Sequence, residues 1–260
     1  MSRLTSPDPR LRCCVVVPAH DEEDLVGACV TALVNQRGVR PGEYEVLLLL
    51  DHCTDRTEEH ARAAAAGSDI PLHLLLQSGE RGVGATRRAG MDAASDRLDS
   101  LRRPQGLIAC TDADSVPAPD WVAAQLALAD RGARAIGGRI ELSAAEGAVL
   151  GPGVLARRAR QARRRHLRLL GADTPAGSTF EHWQFSGASM AVTAQTYRSV
   201  GGMSRRLALE DEAFERALHV AGIPIQRSLA VRVTTSGRLR GRAPAGLAHD
   251  LAEAVRSERG

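Results

Sequence analysis

The feature that most narrows what this chain can fold into is a series of short, wholly apolar runs, each closed by a polar or acidic cluster and followed by a helical pattern. Cys13–Val17 ends at Pro18 and AHDEED, with a helical pattern to about Gln36; Val46–Leu50 ends at Asp51, with a helix from about Asp55 to Gly67. Leu72–Leu76 leads through a Gly-rich turn into a helix from about Gly84 to Leu98. Leu107–Cys110 ends in TDAD, before a helix from Pro119 to Arg131 that has Pro at its start. Unbroken apolar runs, as opposed to alternating ones, belong to strands buried on both faces. The expectation is therefore an α/β protein with a mostly parallel central sheet covered by helices on both faces. Such sheets bind ligands beyond the carboxyl ends of their strands, where the acidic clusters after strands one, two and four fall.

The second half is less regular. Ala135–Leu142 and Ser189–Thr193 read as strands, Leu155–Leu170 as an Arg-rich helix, and Asp211–Ala221 as a helix capped by Gly222. Ile223–Val233 suggests one or two strands, and Leu247–Arg256 a closing helix. A length of 260 residues suits one large domain, and with only 3% aromatics the core must be built from Val, Leu, Ile and Ala.

Charge and cysteine content exclude several classes. A net charge of +3 with dispersed arginines and no recognition motif does not support nucleic-acid binding. Every one of the 34 basic residues is arginine, so any phosphate gripped by a cationic side chain is gripped by a guanidinium fork. Five cysteines without C-x-x-C spacing, behind an N-terminus lacking an apolar targeting stretch, read as reduced thiols of a cytoplasmic protein. No apolar run approaches the ~20 residues of a membrane span. In the helix ARRARQARRRHLRLL, Arg157, Arg158, Arg160, Arg163, Arg164, Arg165 and Arg168 are interspersed with Leu and Ala. Such a segment can rest peripherally on anionic lipid at the inner face of a membrane, or be a solvated face.

Five constellations carry chemistry. In TDADSVP, Asp112 and Asp114 stand one residue apart at a strand end; they suit a hard divalent cation that also meets diphosphate oxygens, or else Asp114 or Ser115 caps the next helix. In LLLLDHCTDRT, Asp51 can accept the imide N–H of a uracil-like base, Asp55 can cap its helix, and His52 and Cys53 read as loop filler. GERGVGATRRAG lacks the third glycine of a dinucleotide fingerprint and follows the third strand. Even so, it offers helix-start N–H groups, with Gly82, plus Arg81, Arg87 and Arg88 as a diphosphate cradle. In LALEDEAFERAL, Glu210 and Asp211 open a helix, either as dipole-complementing charge or as chemistry. FEHWQFSGASMAV holds Phe180, Trp183 and Phe185 beside Gly187, forming either a stacking platform for a sugar or apolar acceptor or core packing.

Taken in order, PAHDEE, DHCTDRT, GVGATRRAG, TDAD, SGASMAVTAQTYRSVGGM and LED resemble the inverting family-2 glycosyltransferases of the A-type nucleotide-sugar-binding fold, over nearly the whole chain. The resemblance implies a single domain: a Rossmann-like nucleotide-sugar-binding half over about 12–132, an acceptor-binding and catalytic half over about 133–243, and a C-terminal helix over 244–260. It further implies that Pro18, Ala19, Glu22 and Asp51 line the nucleobase and ribose pocket, with Gly82, Arg87 and Asp112 completing the nucleotide site. Asp112 and Asp114 would hold Mn2+ or Mg2+, Asp211 would be the general base, and Trp183, Gly187, Gly201, Gly202 and Glu210 would face the acceptor. A nucleoside-diphosphate sugar, UDP favoured, would be the donor, and a small molecule, lipid or glycan the acceptor. Two departures stand out. Arg88 replaces the family's frequent Asn, and SGRLRGR (Arg238, Arg240, Arg242) stands where a His or a Gln-x-x-Arg-Trp segment often closes the site, leaving the third metal ligand unassigned. Two other readings stay open: a retaining synthase of the glucosyl- or mannosyl-3-phosphoglycerate type, and a catalytically degenerate nucleotide-binding partner.

Overall fold

A computed structural model describes residues 4–170, 174–241 and 245–259, without the side chains at 165, 168–170 and 259. The side chains of Arg165 and Arg168, and all of Arg242, thus lie outside the described residues. In chain order the elements are β1 (Cys13–Ala19), α1 (Val26–Val34), β2 (Tyr44–Asp51), α2 (Thr57–Ala65), β3 (Leu72–Gln77), α3 (Val83–Ser100) and β4 (Leu107–Cys110). There follow β5 (Ser115–Pro117), α4 (Trp121–Asp130), β6 (Ala135–Leu142), α5 (Ala144–Leu170), β7 (Thr179–Phe180), β8 (Met190–Thr193), α6 (Ala194–Ser199), α7 (Glu210–Val220), β9 (Ile225–Thr235) and α8 (Leu247–Arg259).

One sheet runs β3-β2-β1-β4-β8-β6-β9-β5, with β7 on β9. Strands β1 to β4 pair in parallel, and so do β6 and β9; β8 is antiparallel to both β4 and β6, and β5 to β9. The sheet is mostly parallel with antiparallel insertions, and the two halves of the sequence share it. Residues of β2 show why its apolar run is continuous: Val46, Leu48 and Leu50 pack into one core with Trp121 of α4 and Val30 of α1. Leu47 and Leu49 enter a second core with Met91 of α3 and Phe214 of α7. Each such side chain contributes about 1.5–3 kcal/mol by burial.

Three local features differ from the sequence expectation. TDAD does not run into a helix: Ser115–Pro117 extends as β5, paired Ser115↔Thr235 against β9. Pro119 disfavours helical geometry at Ala118, and α4 starts only after Asp120. Asp114 and Ser115 therefore cap nothing. Helix α5 starts eleven residues earlier than expected, because Ser143 and Glu146 form a reciprocal cap, Glu146 N–H to Ser143 Oγ at 3.2 Å and Ser143 Oγ–H to Glu146 Oε2 at 2.8 Å. It kinks at Gly151, which takes φ 81 just before Pro152. No helix is expected between Thr193 and Val200, yet Ala194–Ser199 forms α6, capped by Thr193 accepting from Thr196 N. Where one or two strands are expected near the C-terminal end, Ile225–Thr235 is one strand, whose register against β6 shifts between Gly138 and Arg139.

All five cysteines are free thiols, and burial pushes those of Cys13 and Cys110 up to about 12. Among the described residues no helix is long and apolar enough to cross a membrane.

Candidate active site

At the carboxyl ends of β1, β2 and β4 opens a cavity of about 560 Å³, walled also by the loop before α7, by α5 and by α8. Pro18, Ala19, Glu22, Asp51, Gly82, Arg87, Asp112, Asp114, Trp183, Gly187, Glu210 and Asp211 all line it. Gly201 and Gly202 are not among its lining residues. They form a positive-φ turn after α6, whose carbonyl at Gly201, with that of Met203, accepts from Arg88 Nη1 at 3.2 and 2.6 Å. Arg88 is thereby turned away from the cavity and leaves the expected diphosphate cradle.

Arg87 is the brace of the site. Its guanidinium is 2% exposed and donates from Nη2 to Asp112 Oδ1 (2.8 Å), from Nη1 to the Gly187 carbonyl (3.1 Å) and from Nε to Glu210 Oε1 (3.2 Å). Burial disfavours its charge, yet Asp112 and Glu210 outweigh burial and hold it cationic. With its nitrogens bound to protein, Arg87 cross-links strand end and helix start, and a diphosphate would have to compete with these bonds; the exposed Arg81 lies on the same wall. The brace explains Gly187: an alanine Cβ there would stand 2.4 Å from Arg87 Cζ.

A second guanidinium stands between Glu22 and Asp114. Arg238 donates to both oxygens of Glu22 at 2.8 and 2.9 Å, and its Nη2 lies 2.8 Å from Asp114 Oδ2. Burial, reinforced by the adjacent Asp112 charge, raises Asp114 to about 6, and Arg238 offsets this only in part. Glu210 is likewise raised by burial, with Asp211 adding to the effect and Arg87 opposing it.

The remaining two carboxylates are held differently. Asp51 accepts from Gly82 N–H at 3.0 Å and from His52 at 2.8 Å; burial would raise it, but these bonds hold it below the usual carboxylate range. His52 is thus a partner of Asp51, not filler. Asp211 accepts from the backbone N–H of Gly187 (3.2 Å) and of Glu212 (2.8 Å). Asp55 accepts from Thr57 N–H at 2.9 Å and from Glu23 N–H at 3.0 Å, a tie across the α1 and α2 starts.

At the far end of the cavity the aromatic segment divides. Phe185 is buried with its ring 6.3 Å from that of Phe214, so it belongs to the core. Trp183 stays 40% exposed, flanked by His166 at 5.2 Å and Phe180 at 5.5 Å, with Arg163 5.6 Å above its ring. Sequence reasoning did not find His166, Glu215 or Arg158 here. The i,i+4 spacing of Asp211 and Glu215 was the available signal, and Arg158 comes from the helix read as a solvated or lipid-facing surface.

Two clusters among the described residues bring three ligand atoms close enough for one ion, Asp21–Cys53–Asp55 and His249–Asp250–Glu253; neither contains Asp112 or Asp114. Those two carboxylates nevertheless fit a hard divalent cation. They offer oxygen donors on one cavity wall, and a positive group already sits 2.8 Å from Asp114.

The mixed sheet flanked by helices is the fold of the A-type glycosyltransferases. The profile of Glycosyl transferase family 2 matches residues 14–190, more than half of the chain, which belongs to that family. No curated protein matches the sequence. Among solved structures the chain is similar to a mannosyltransferase from Pyrobaculum calidifontis in complex with GDP-Man and Mn2+ (20% identity, TM-score 0.61, 97% of this chain and 70% of that one). It is also similar to S. aureus TarS 1-349 in complex with UDP-GlcNAc (13% identity, TM-score 0.65, 95% and 66%). A third likeness is to glucosyl-3-phosphoglycerate synthase from Mycobacterium tuberculosis in complex with Mg2+ and UDP (16% identity, TM-score 0.58, 95% and 79%). The chain spans only part of each, and at these identities the likeness is one of fold.

Proposed function

We propose that this enzyme transfers a sugar from a nucleoside-diphosphate donor, UDP-linked by preference, to an acceptor hydroxyl by a single displacement that inverts the anomeric centre. The observation that carries the reading is the Arg87 brace. One guanidinium ties Asp112 at the end of β4 to Glu210 at the start of α7, so the diphosphate-side carboxylates and Asp211 face a common cavity. Residues 12–132 would hold the nucleotide, with Asp51 and Glu22 beside base and ribose, and residues 133–243 the acceptor, against Trp183.

In the reaction the acceptor oxygen forms a bond to the anomeric carbon while the bond from that carbon to the diphosphate oxygen breaks. The hydroxyl proton passes to an oxygen of Asp211, whose carboxylate is fixed by the Gly187 and Glu212 N–H groups. General-base help of this kind contributes typically about 10²–10⁴-fold. A Mn2+ or Mg2+ ion on Asp112 and Asp114 would neutralise the charge that develops on the leaving diphosphate.

The test is calorimetric titration with UDP and GDP, each in Mn2+ and in EDTA. Metal-dependent micromolar binding of one nucleotide is expected. Absence of binding to either, in protein shown to be folded, favours the degenerate-partner reading. Product stereochemistry separates the direct displacement from a retaining synthase.

A further inference from the structure

Arg238 lies in the segment that departs most from the family pattern, and the reaction outlined above gives it no task. Its position is nevertheless specific. The backbone around it is anchored: Ser236 N–H donates to the Asp114 carbonyl at 3.2 Å and Gly237 N–H to Glu146 Oε1 at 2.7 Å. From that base the side chain crosses the cavity wall and places its guanidinium against Glu22 and Asp114. The two contacts are unequal. Glu22, 7% exposed, is bound through both oxygens, whereas Asp114 is met through one nitrogen at 2.8 Å.

A carboxylate oxygen already facing a guanidinium at that distance has no room for a dication on the same side. A metal ion arriving alone must strip Arg238 from Asp114 and leave a positive group beside it, with nothing to absorb the repulsion. A metal ion arriving with a diphosphate brings that compensation, because phosphate oxygens match an arginine fork. Asp112 is met in the same way, by Arg87 Nη2 at Oδ1, but that guanidinium is also held by Glu210 and the Gly187 carbonyl on the protein side, so Arg238 is the one a diphosphate can draw off.

We infer that Arg238 is a resident counter-ion of the metal site, holding Glu22 and Asp114 in the donor-free enzyme and releasing Asp114 when a metal–diphosphate unit arrives. Metal and nucleotide then bind as a coupled pair, and Arg238 sets the coupling. The inference rests on the metal role proposed for Asp112 and Asp114.

The experiment measures free Mn2+ by its paramagnetic resonance signal during titration of wild type, Arg238→Gln, Arg238→Lys and, as an exposed control, Arg240→Gln, with and without UDP or GDP. Wild type should bind Mn2+ alone weakly and tighten with nucleotide, within the usual coupling range of about 5–150-fold. R238Q should bind Mn2+ alone at least about tenfold more tightly, with the coupling reduced by a similar factor. R238K, which keeps the charge without the fork, should fall between, and R240Q should match wild type. Unchanged or weaker Mn2+ affinity in R238Q, with metal–nucleotide binding intact, overturns the role of Arg238 and leaves the metal reading standing. If neither wild type nor R240Q takes up Mn2+ in the presence of nucleotide, the metal reading fails and this inference with it. Should R238Q not fold, R238K decides by the same comparison.

Discussion

Gly187→Ala is the substitution that most directly probes how the site is held together. The new Cβ would lie 2.3 Å from Arg87 Nη2, 2.4 Å from Cζ and 2.9 Å from Nη1, where ordinary contacts begin near 3.4 Å. The guanidinium must therefore retreat by about 1 Å, and it is bound on three sides by Asp112, Glu210 and the Gly187 carbonyl. A retreat of that size breaks at least one charge-assisted hydrogen bond, about 1.5–3 kcal/mol, on top of an overpacking strain of about 1–3 kcal/mol. The expected loss is roughly 3–6 kcal/mol, read from urea unfolding midpoints at unchanged slope. Because Gly187 does not occupy a positive φ, backbone strain plays no part, and the effect should run through Arg87. A double-mutant cycle with Arg87→Met tests that route: once the guanidinium is gone, adding the methyl should cost under about 1 kcal/mol. Additive losses in the double mutant, or a single-mutant change below about 0.5 kcal/mol, would refute the steric brace.

Three further outcomes are expected. Asp211→Asn should keep donor binding by calorimetry and lose transfer by about 10²-fold or more; turnover near wild type removes Asp211 from the base role. Asp114→Ala should abolish the Mn2+-dependent part of nucleotide affinity, whereas equal affinity in Mn2+ and EDTA-matched titrations of wild type and variant sinks the metal assignment. The third concerns acid stability. Burial would raise Glu45, but its bonds to Arg97 and His73 prevail and bring it from 4.5 down to about 2. A depressed folded-state value stabilises above pH 4.5 and is lost as pH falls toward 2, a contribution of roughly 3 kcal/mol. Glu45→Gln should flatten the stability profile across that window, and an unchanged slope would contradict the pairing.

Much of the first half was legible because strands buried on both faces leave continuous apolar runs, as Val46–Leu50 does while feeding two cores. Carboxylates that end such strands, Asp51 and Asp112, were legible for the same reason. What escaped was long-range. Strand β5 is three residues long and exists through Ser115 and Thr235, 120 positions apart, whose hydroxyls meet at 2.9 Å. The partner that commits Arg87 stands 123 positions away, so the motif suggested a diphosphate ligand where packing made a brace. The Gly201–Gly202 pair has a local reason as well, since both glycines take positive φ in a turn. The early start of α5 was within reach: Ser143 and Glu146 carry the reciprocal cap, but Gly147 and the Gly151–Pro152 break obscure the helical period.

The way each carboxylate is compensated argues for the division of labour. Glu22 and Asp114 are paired with Arg238, Asp112 and Glu210 with Arg87, all by ion pairs. Asp51 and Asp211 are steadied by backbone N–H groups, with His52 added at Asp51. An ion-paired carboxylate must exchange a full charge to change state, which suits groups that hand over to another cation. A carboxylate set by fixed dipoles can accept a proton or a ligand hydrogen bond while its geometry persists, which suits a base. The backbone is bent to achieve this: Asp21, His52 and Leu209 take φ of 50, 51 and 59, each adjacent to Glu22, Asp51 or Glu210. Such conformations cost about 1–2 kcal/mol apiece for non-glycine residues. Their concentration beside the cavity carboxylates marks these loops as shaped for the site against local preference, and no reading of propensities along the sequence would have placed strain there.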